Sequence, residues 1–409
     1  MLETIVQSHE DLSNYLNAFR SAFQNTPQYR HFMAYVVGLL IYLGSRNLAG
    51  LNRAIPGSKD PSSTFRFIAK MDWDEEQVEQ IRWELLSRRT RRALQAVGRK
   101  GEAVPVFLAI DDTLVEKTGK KMEGVSYHYD HCTGRNVLGY VWVTGHLVVM
   151  GQSYPVSWKM YLRQGICEEL GRPFLSKPEL AAAILRAFQP LPGTQTYVLT
   201  DSWYPSQELL NLCEERGFHL ISAVKSNRKF RAAGHNRQVR QWVHSLPKRT
   251  FGFVTVDATY YKVWASIGRL GSGHRVKLVI NRTLDTKGWR YVVSTDLSLT
   301  PRTIIAYYRM RWEVEIFYRT AKQSLGWADF QMRDLFAIER HVQLMMVAHA
   351  YLELRRLDWL ANAEPGEHIT LGDIQREHQA LSRRAEIALV FDLAQRGFAL
   401  DSVFQQLAA

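Results

Sequence analysis

"VPVFLAIDDT", Val104–Thr113, is an apolar run that ends in two adjacent carboxylates. A continuous apolar stretch of this length, closed by polar residues, reads as a buried strand with its acids emerging at the end. Downstream, "GVSYHYD" (124–130) and "GYVWVTGHLVVM" (139–150) read as two more strands, separated by the turn-like "HCTGRN". "KPELAAAILRAF" (177–188) opens a helix with proline in its first turn. "QTYVLTD" (195–201) is a fourth strand ending on Asp201, "PSQELLNLCEERGF" (205–218) a helix stopped by Gly217, and "HLISAV" (219–224) a fifth strand. Three strands forming a meander, then helix, strand, helix, strand, predict an α/β fold on a mixed sheet.

The helix expected after the fifth strand is delayed until "PRTIIAYYRMRWEVEIFYRTAK" (301–322). The interval holds four alternating stretches, "TFGFVTV", "TYYKVWASIG", "HRVKLVIN" and "WRYVVSTDL", split by turn-like "GSG" and "DTKG". They predict a small antiparallel β insertion at about residues 225–300. Residues 1–100 read as helical, as does the stretch after Asp334, so the expected division is 1–100, a core over 101–335 carrying the insertion, and 336–409. Within the first region, "SRNLAGLNRAIPGSKDPSSTFRFIAKMDW" (45–73) gives two helical stretches around a Pro-Gly turn. Ser62 or Ser63 would cap the second, which presents Thr64, Arg66 and Lys70. The pattern suits a helix-turn-helix and a plain helical bundle equally.

Composition narrows the class. The chain has 409 residues, 46% hydrophobic and 22% charged, which is ordinary for a globular protein of two or three domains. Cys132, Cys167 and Cys213 lack metal-ligand or disulfide-framework spacing and fit a reducing cytoplasm. The longest apolar run, the fourteen residues "HFMAYVVGLLIYLG", is too short to span a bilayer and predicts a buried helix. Charge is the stronger signal. The net is +12, and His219–Thr300 alone carries 15 Lys and Arg against Asp257, Asp285 and Asp296, while the other 327 residues carry 37 of each sign. A basic segment set in a neutral chain predicts a polyanion surface, since neutralising phosphates releases condensed counterions.

Acids and cations recur at the expected ends of elements. Asp112, or its neighbour Asp111, ends the first strand, Asp201 ends the fourth, and Glu315 lies on the delayed helix. Strand ends are where α/β sheets form ligand crevices. Asp112 is preferred because a carboxylate followed by a small hydroxyl residue repeats at "DT" and "DS". Carboxylates brought together need cations, and hard oxygen ligands suit Mg²⁺ or Mn²⁺. At 100° per residue Tyr308, Arg311, Glu315 and Lys322 fall on one stripe about 60° wide.

The pattern Tyr308-x2-Arg311-x3-Glu315-x6-Lys322 resembles the Y-R-E-K signature of DDE-type bacterial insertion-sequence transposases, which have a ribonuclease H-like catalytic core. "AIDDT" and "VLTDSWYPS" resemble the family's two aspartate motifs, and "EKTGKKMEGVSYHYD" and "FLSKPEL" its intervening segments, over Val104–Arg333. The resemblance implies a metal-binding catalytic triad of Asp112, Asp201 and Glu315, with two Mg²⁺ ions for which Mn²⁺ substitutes. Tyr308, Arg311 and Lys322 would then position DNA phosphates. It implies cleavage at the terminal inverted repeats of an element and joining of 3′ ends to target DNA, with a homodimer forming when two ends are paired, in a bacterial cytoplasm. The helical N-terminal region would bind DNA. Lys225, Arg228, Lys229 and Arg231 in "VKSNRKFR" are expected to contact the DNA backbone. Some relatives pass through a DNA hairpin aided by a tryptophan, for which Trp203, Trp242, Trp264 and Trp289 are the candidates. The rival expectation is a catalytically inactive, transposase-derived DNA-binding protein.

Overall fold

The computed structural model describes residues 2–7, 9–54, 61–97, 103–364 and 366–403. The expected Pro-Gly turn and the Gly-containing linker before Val104 lie outside the described residues. The amino-terminal helices are α1 (Leu2–Gln7), α2 (Glu10–Asn17), α3 (Thr26–Ile41), α4 (Leu48–Ala54), α5 (Pro61–Ala69) and α6 (Glu75–Val97). Next come β1 (Val104–Glu116), β2 (Ser126–Asp130), β3 (Arg135–Val149), β4 (Gln152–Tyr161), α7 (Gln164–Glu169), α8 (Lys177–Ala187), β5 (Thr194–Thr200), α9 (Gln207–Glu215) and β6 (His219–Ala223). The insertion contributes β7 (Lys229–Ala232), β8 (His235–Gln238), α10 (Val239–Ser245), β9 (Gly252–Val256), β10 (Thr259–Leu270), β11 (Arg275–Thr283) and β12 (Arg290–Ser294). The chain then runs through α11 (Pro301–Arg309), α12 (Trp312–Ser324), α13 (Leu335–Ala361) and α14 (Leu371–Gln395).

Two compact units result. The first combines residues 1–92, 115–140 and 317–409; the second combines 93–114 and 141–316.

In the first unit α3, α13 and α14 pack on one another. The apolar run is the buried helix expected: Phe32, Val36, Val37, Leu39 and Leu40 of α3 are fully covered. At its centre the Tyr35 hydroxyl meets His341 Nδ1 at 2.8 Å, while His341 Nε2 lies 3.0 Å from the Gly326 carbonyl. The helix-turn-helix expectation is corrected in detail. Ser62 and Ser63 lie inside α5, which starts at Pro61, so neither is its cap. Thr64 is buried and its hydroxyl donates to Asn52 Oδ1, tying α5 to α4 instead of facing outward. Arg66 and Lys70 remain exposed. Among the described residues no helix is long and apolar enough to cross a membrane.

The second unit is a mixed α/β sheet, consistent with a ribonuclease H-like core. Its strand order runs β3-β1-β5-β6-β12-β11-β10-β7-β8, with β4 on β3 and β9 on β10. β1, β5 and β6 are parallel neighbours, and β3 and β4 are antiparallel. The expected meander is modified. β2 pairs with Arg135–Gly139, within the first unit, and from Val141 onward β3 pairs with β4. β4 escapes a reading of the sequence because its apolar pattern is broken and it contains Pro155. Proline is tolerated there at a register shift opposite Gly145/His146, on a strand whose only neighbour among the described residues is β3. Met150 and Gly151 form the two-residue connection, both with positive φ (50° and 75°), as a type I′ hairpin requires. All four predicted insertion strands are present as β9–β12. β12 also pairs antiparallel with β6, so the insertion continues the core sheet.

The buried imidazole of His341 gives a pH prediction. Burial lowers its pKa from 6.5 to about 4. The unfolded chain therefore binds the extra proton first as pH falls, and stability is lost between those two values. The full shift corresponds to about 3 kcal/mol. Denaturant titrations from pH 7 to pH 4 should show this loss, and His341→Gln should reduce it by about that amount, with buried His349 and His378 supplying the rest.

Candidate active site

Parallel pairing of β1 and β5 sets the site. β5 stops at Thr200, opposite Ile110, so Asp201 leaves the sheet beside the Asp111–Asp112 pair. Successive residues of β1 point to opposite faces. Phe107 packs edge-on against Tyr307 of α11 at 4.8 Å. Leu108 faces the other way, toward the space between Gly145 and Ile184 of α8.

The two aspartates accordingly have different partners. Asp111 forms an ion pair with Arg311, and its Oδ1 accepts the Asp112 N–H at 2.9 Å. Asp112 accepts the Tyr204 hydroxyl on Oδ1 and the Lys177 ammonium on Oδ2, both at 2.7 Å. Its side chain is 26% exposed, against 12% for Asp111. Asp201 Oδ1 accepts the Trp203 N–H at 2.8 Å.

Electrostatics tie these groups together. Burial raises the Asp111 pKa to about 7, with repulsion from Asp201 and Asp112 adding to it and Arg311 opposing it. Burial also raises that of Asp201; the Asp112 charge adds to the rise, and Arg311 and Lys177 oppose it. Glu315 joins through Arg311, whose Nη1 lies 3.5 Å from Glu315 Oε1. Tyr308 hydrogen-bonds Arg311, and burial raises its pKa.

The expected single helix is broken, which is a correction. α11 ends at Arg309 and α12 begins at Trp312. Tight i→i+3 bonds, Arg311 N–H to the Tyr308 carbonyl and Val314 N–H to the Arg311 carbonyl, pinch the chain between them. Arg311 therefore sits in the break, not on a helical stripe, and reaches both Asp111 and Glu315. Lys322, on α12, belongs to the first unit.

The other sequence candidates are distributed as follows. The Lys225 ammonium lies 3.5 Å from the centroid of the Trp203 ring. Arg228 donates to the Pro205 carbonyl at 3.3 Å. Lys229 and Arg231 are exposed on β7, alternating with buried Phe230 and Ala232. Trp242 is buried and stacks on Trp264 at 5.7 Å, and Trp289 packs on Phe251. Trp203 is 59% exposed beside Asp201. Lys177 and Tyr204 were not singled out from sequence, although both stand inside stretches quoted for the resemblance. Their spacing from Asp112, 65 and 92 positions, gives no local signal.

Among the described residues no three His, Cys, Asp or Glu side chains already form a metal-ready group. The donor chemistry nevertheless suits a hard divalent cation: carboxylate oxygens, partly buried and mutually repelling. A cation already stands among them, since the Lys177 charge acts on both Asp112 and Asp201.

Residues 18–249 match the family model described as DDE superfamily endonuclease, and residues 176–352 match the transposase DDE domain. Over 348 residues the chain is 24% identical to a probable transposase for insertion sequence element IS701 from Microchaete diplosiphon, covering 81% of this chain and 84% of that one.

Because ionised Asp201 is destabilised where it sits, Asp201→Asn should raise the melting temperature of metal-free protein at pH 8 by about 2 °C. The gain should vanish below the ordinary carboxylate value of 3.8, where the wild-type group is neutral in both states. Scanning fluorimetry with and without Mn²⁺ checks this, and the variant should also lose any stabilisation by the ion.

Proposed function

We propose that this chain, which belongs to the DDE superfamily endonucleases and is a DDE-type insertion-sequence transposase, binds the terminal inverted repeats of its element, cuts DNA there and joins the freed 3′ ends to target DNA. The observation that carries the reading is the meeting of Asp112, Asp201 and Arg311 at adjacent strand ends, with Glu315 held by the same guanidinium.

Proteins of this family generally use divalent metal ions. Asp112, Asp201 and Glu315 are the proposed holders of two Mg²⁺ ions, for which Mn²⁺ substitutes. Such ions, when bound, supply the Lewis acidity that phosphoryl transfer requires. Asp112 is preferred over Asp111 as the first carboxylate. It is the more exposed of the two and has Lys177 beside it, whereas Asp111 is engaged by Arg311 and a backbone N–H.

The remaining chemistry belongs to the side chains. Arg311 offers a planar fork to phosphate oxygens, and Tyr308 a single hydroxyl. Lys177 is a mobile point charge that can exchange a carboxylate for a phosphate. Exposed Lys225, Lys229 and Arg231, with half-buried Arg228, lie at the start of the basic insertion and suit backbone contacts along the flanking duplex. Lys322 is proposed to join them. Residues 1–100 are the proposed end-recognition region, 101–335 the catalytic core and 225–300 its inserted DNA surface. Pairing of two ends calls for a homodimer, acting in the cytoplasm on nucleoid DNA.

Purified protein with Mg²⁺ should nick a duplex carrying the terminal repeats. Asp201→Ala and Glu315→Ala should lower cutting by on the order of 10³-fold while leaving DNA affinity within a few-fold. Asp112→Asn should match them, and Asp111→Asn should retain more activity. Undiminished cutting by the Asp201 or Glu315 variant would remove that residue from the mechanism.

A further inference from the structure

Outside the basic insertion the charges of the chain balance overall, but they are not evenly spread. The loop "KTGKKMEG" (117–124) follows β1 in the first unit, and it lines a cleft of about 420 Å³ with Phe330, Gln331 and Arg333. Four of the lining residues are cationic, Lys117, Lys120, Lys121 and Arg333, and none is acidic.

The loop is held at both ends. The Lys117 ammonium is buried, donates to the carbonyls of Ala328 and Phe330 at 2.7 Å each, and sits 3.4 Å from the centre of the Phe330 ring. At the far end the Glu123 N–H donates to the Arg333 carbonyl at 2.8 Å, and its carboxylate accepts the Leu335 N–H at 2.9 Å. The Tyr140 hydroxyl donates to the Glu123 carbonyl at 2.7 Å. The neighbouring acid Asp329 is occupied by the Arg46 N–H. Between these anchors Lys120, Lys121 and Arg333 are exposed, and their side chains make no hydrogen bond or ion pair among the described residues. A cation with a local acid would be neutralised; these three are not. A pre-ordered backbone presenting unpaired ammonium and guanidinium groups suits successive phosphates of a nucleic-acid backbone, which need charge and reach but no base reading.

We infer that this loop is a second, sequence-independent binding site for the phosphodiester backbone of duplex DNA, separate from the insertion. The inference rests on the transposase reading for its ligand.

The test is a salt titration of DNA affinity, followed by fluorescence anisotropy on an end-carrying duplex and on a random duplex. Each phosphate contact contributes about 0.9 to the slope of log affinity against log salt. The combined variant Lys120→Ala, Lys121→Ala, Arg333→Ala should lower the slope by about 2 to 3 on both duplexes, with affinity falling tenfold or more. Its melting temperature should not change, because the three side chains are exposed. Lys120→Arg with Lys121→Arg should keep the wild-type slope. An unchanged slope in the alanine variant would overturn this site and leave the proposed function intact. A wild-type chain with no affinity for either duplex would overturn both, and the retained binding expected of Asp201→Ala tells the two failures apart.

Discussion

Crowding of like charges is the constraint on which the second unit depends. Asp111, Asp112 and Asp201 lie close enough for their carboxylates to repel one another, and burial makes ionisation of Asp111 and Asp201 costly. Such an arrangement persists only where cations and donors answer it. Arg311 answers Asp111, and Lys177 and Tyr204 answer Asp112. These partners come from three different elements or their junctions, so the acids fix the placement of α8, of the turn after β5 and of the break before α12. A protein selected for rigidity alone gains little from this, since well-packed apolar groups of similar size serve as well or better. The proposed catalysis gives the arrangement a use.

Much of the core was legible because its strands are apolar runs closed by acids or turns. β1, β5 and β6 announce themselves this way, and the insertion strands by alternation. β4 did not, since a half-exposed edge strand with proline leaves neither a clean period nor a continuous run. The break at Met310–Arg311 was equally hidden. It has no proline or glycine to mark it, and the helical periodicity runs straight through. Asp201, Glu315 and Arg311, residues of the proposed site, could be singled out from type and spacing. Lys177 and Tyr204 could not, because their roles arise only when distant segments converge. Thr64 shows the complementary error: the side of a helix a polar residue occupies does not reveal whether its hydroxyl is satisfied inward.

The basic insertion obeys ordinary strand chemistry. In β7 the cations Lys229 and Arg231 alternate with Phe230 and Ala232, so one face is apolar and packed while the other carries charge to solvent. Trp242 and Trp264, stacked on each other, belong to the packed side. The excess positive charge therefore costs the fold little where, as at Lys229 and Arg231, the groups that carry it remain exposed.

The pairing of β12 with β6 has a consequence for how separable the basic segment is. An insertion that merely looped out of the core would be removable without disturbing the sheet. Here Ile221–Ala223 take one set of their main-chain partners from Val292–Ser294. Excision would leave a bare, apolar strand border, an invitation to self-association. The last strand of the basic segment is thus a structural part of the core sheet, covering a border that would otherwise stand open.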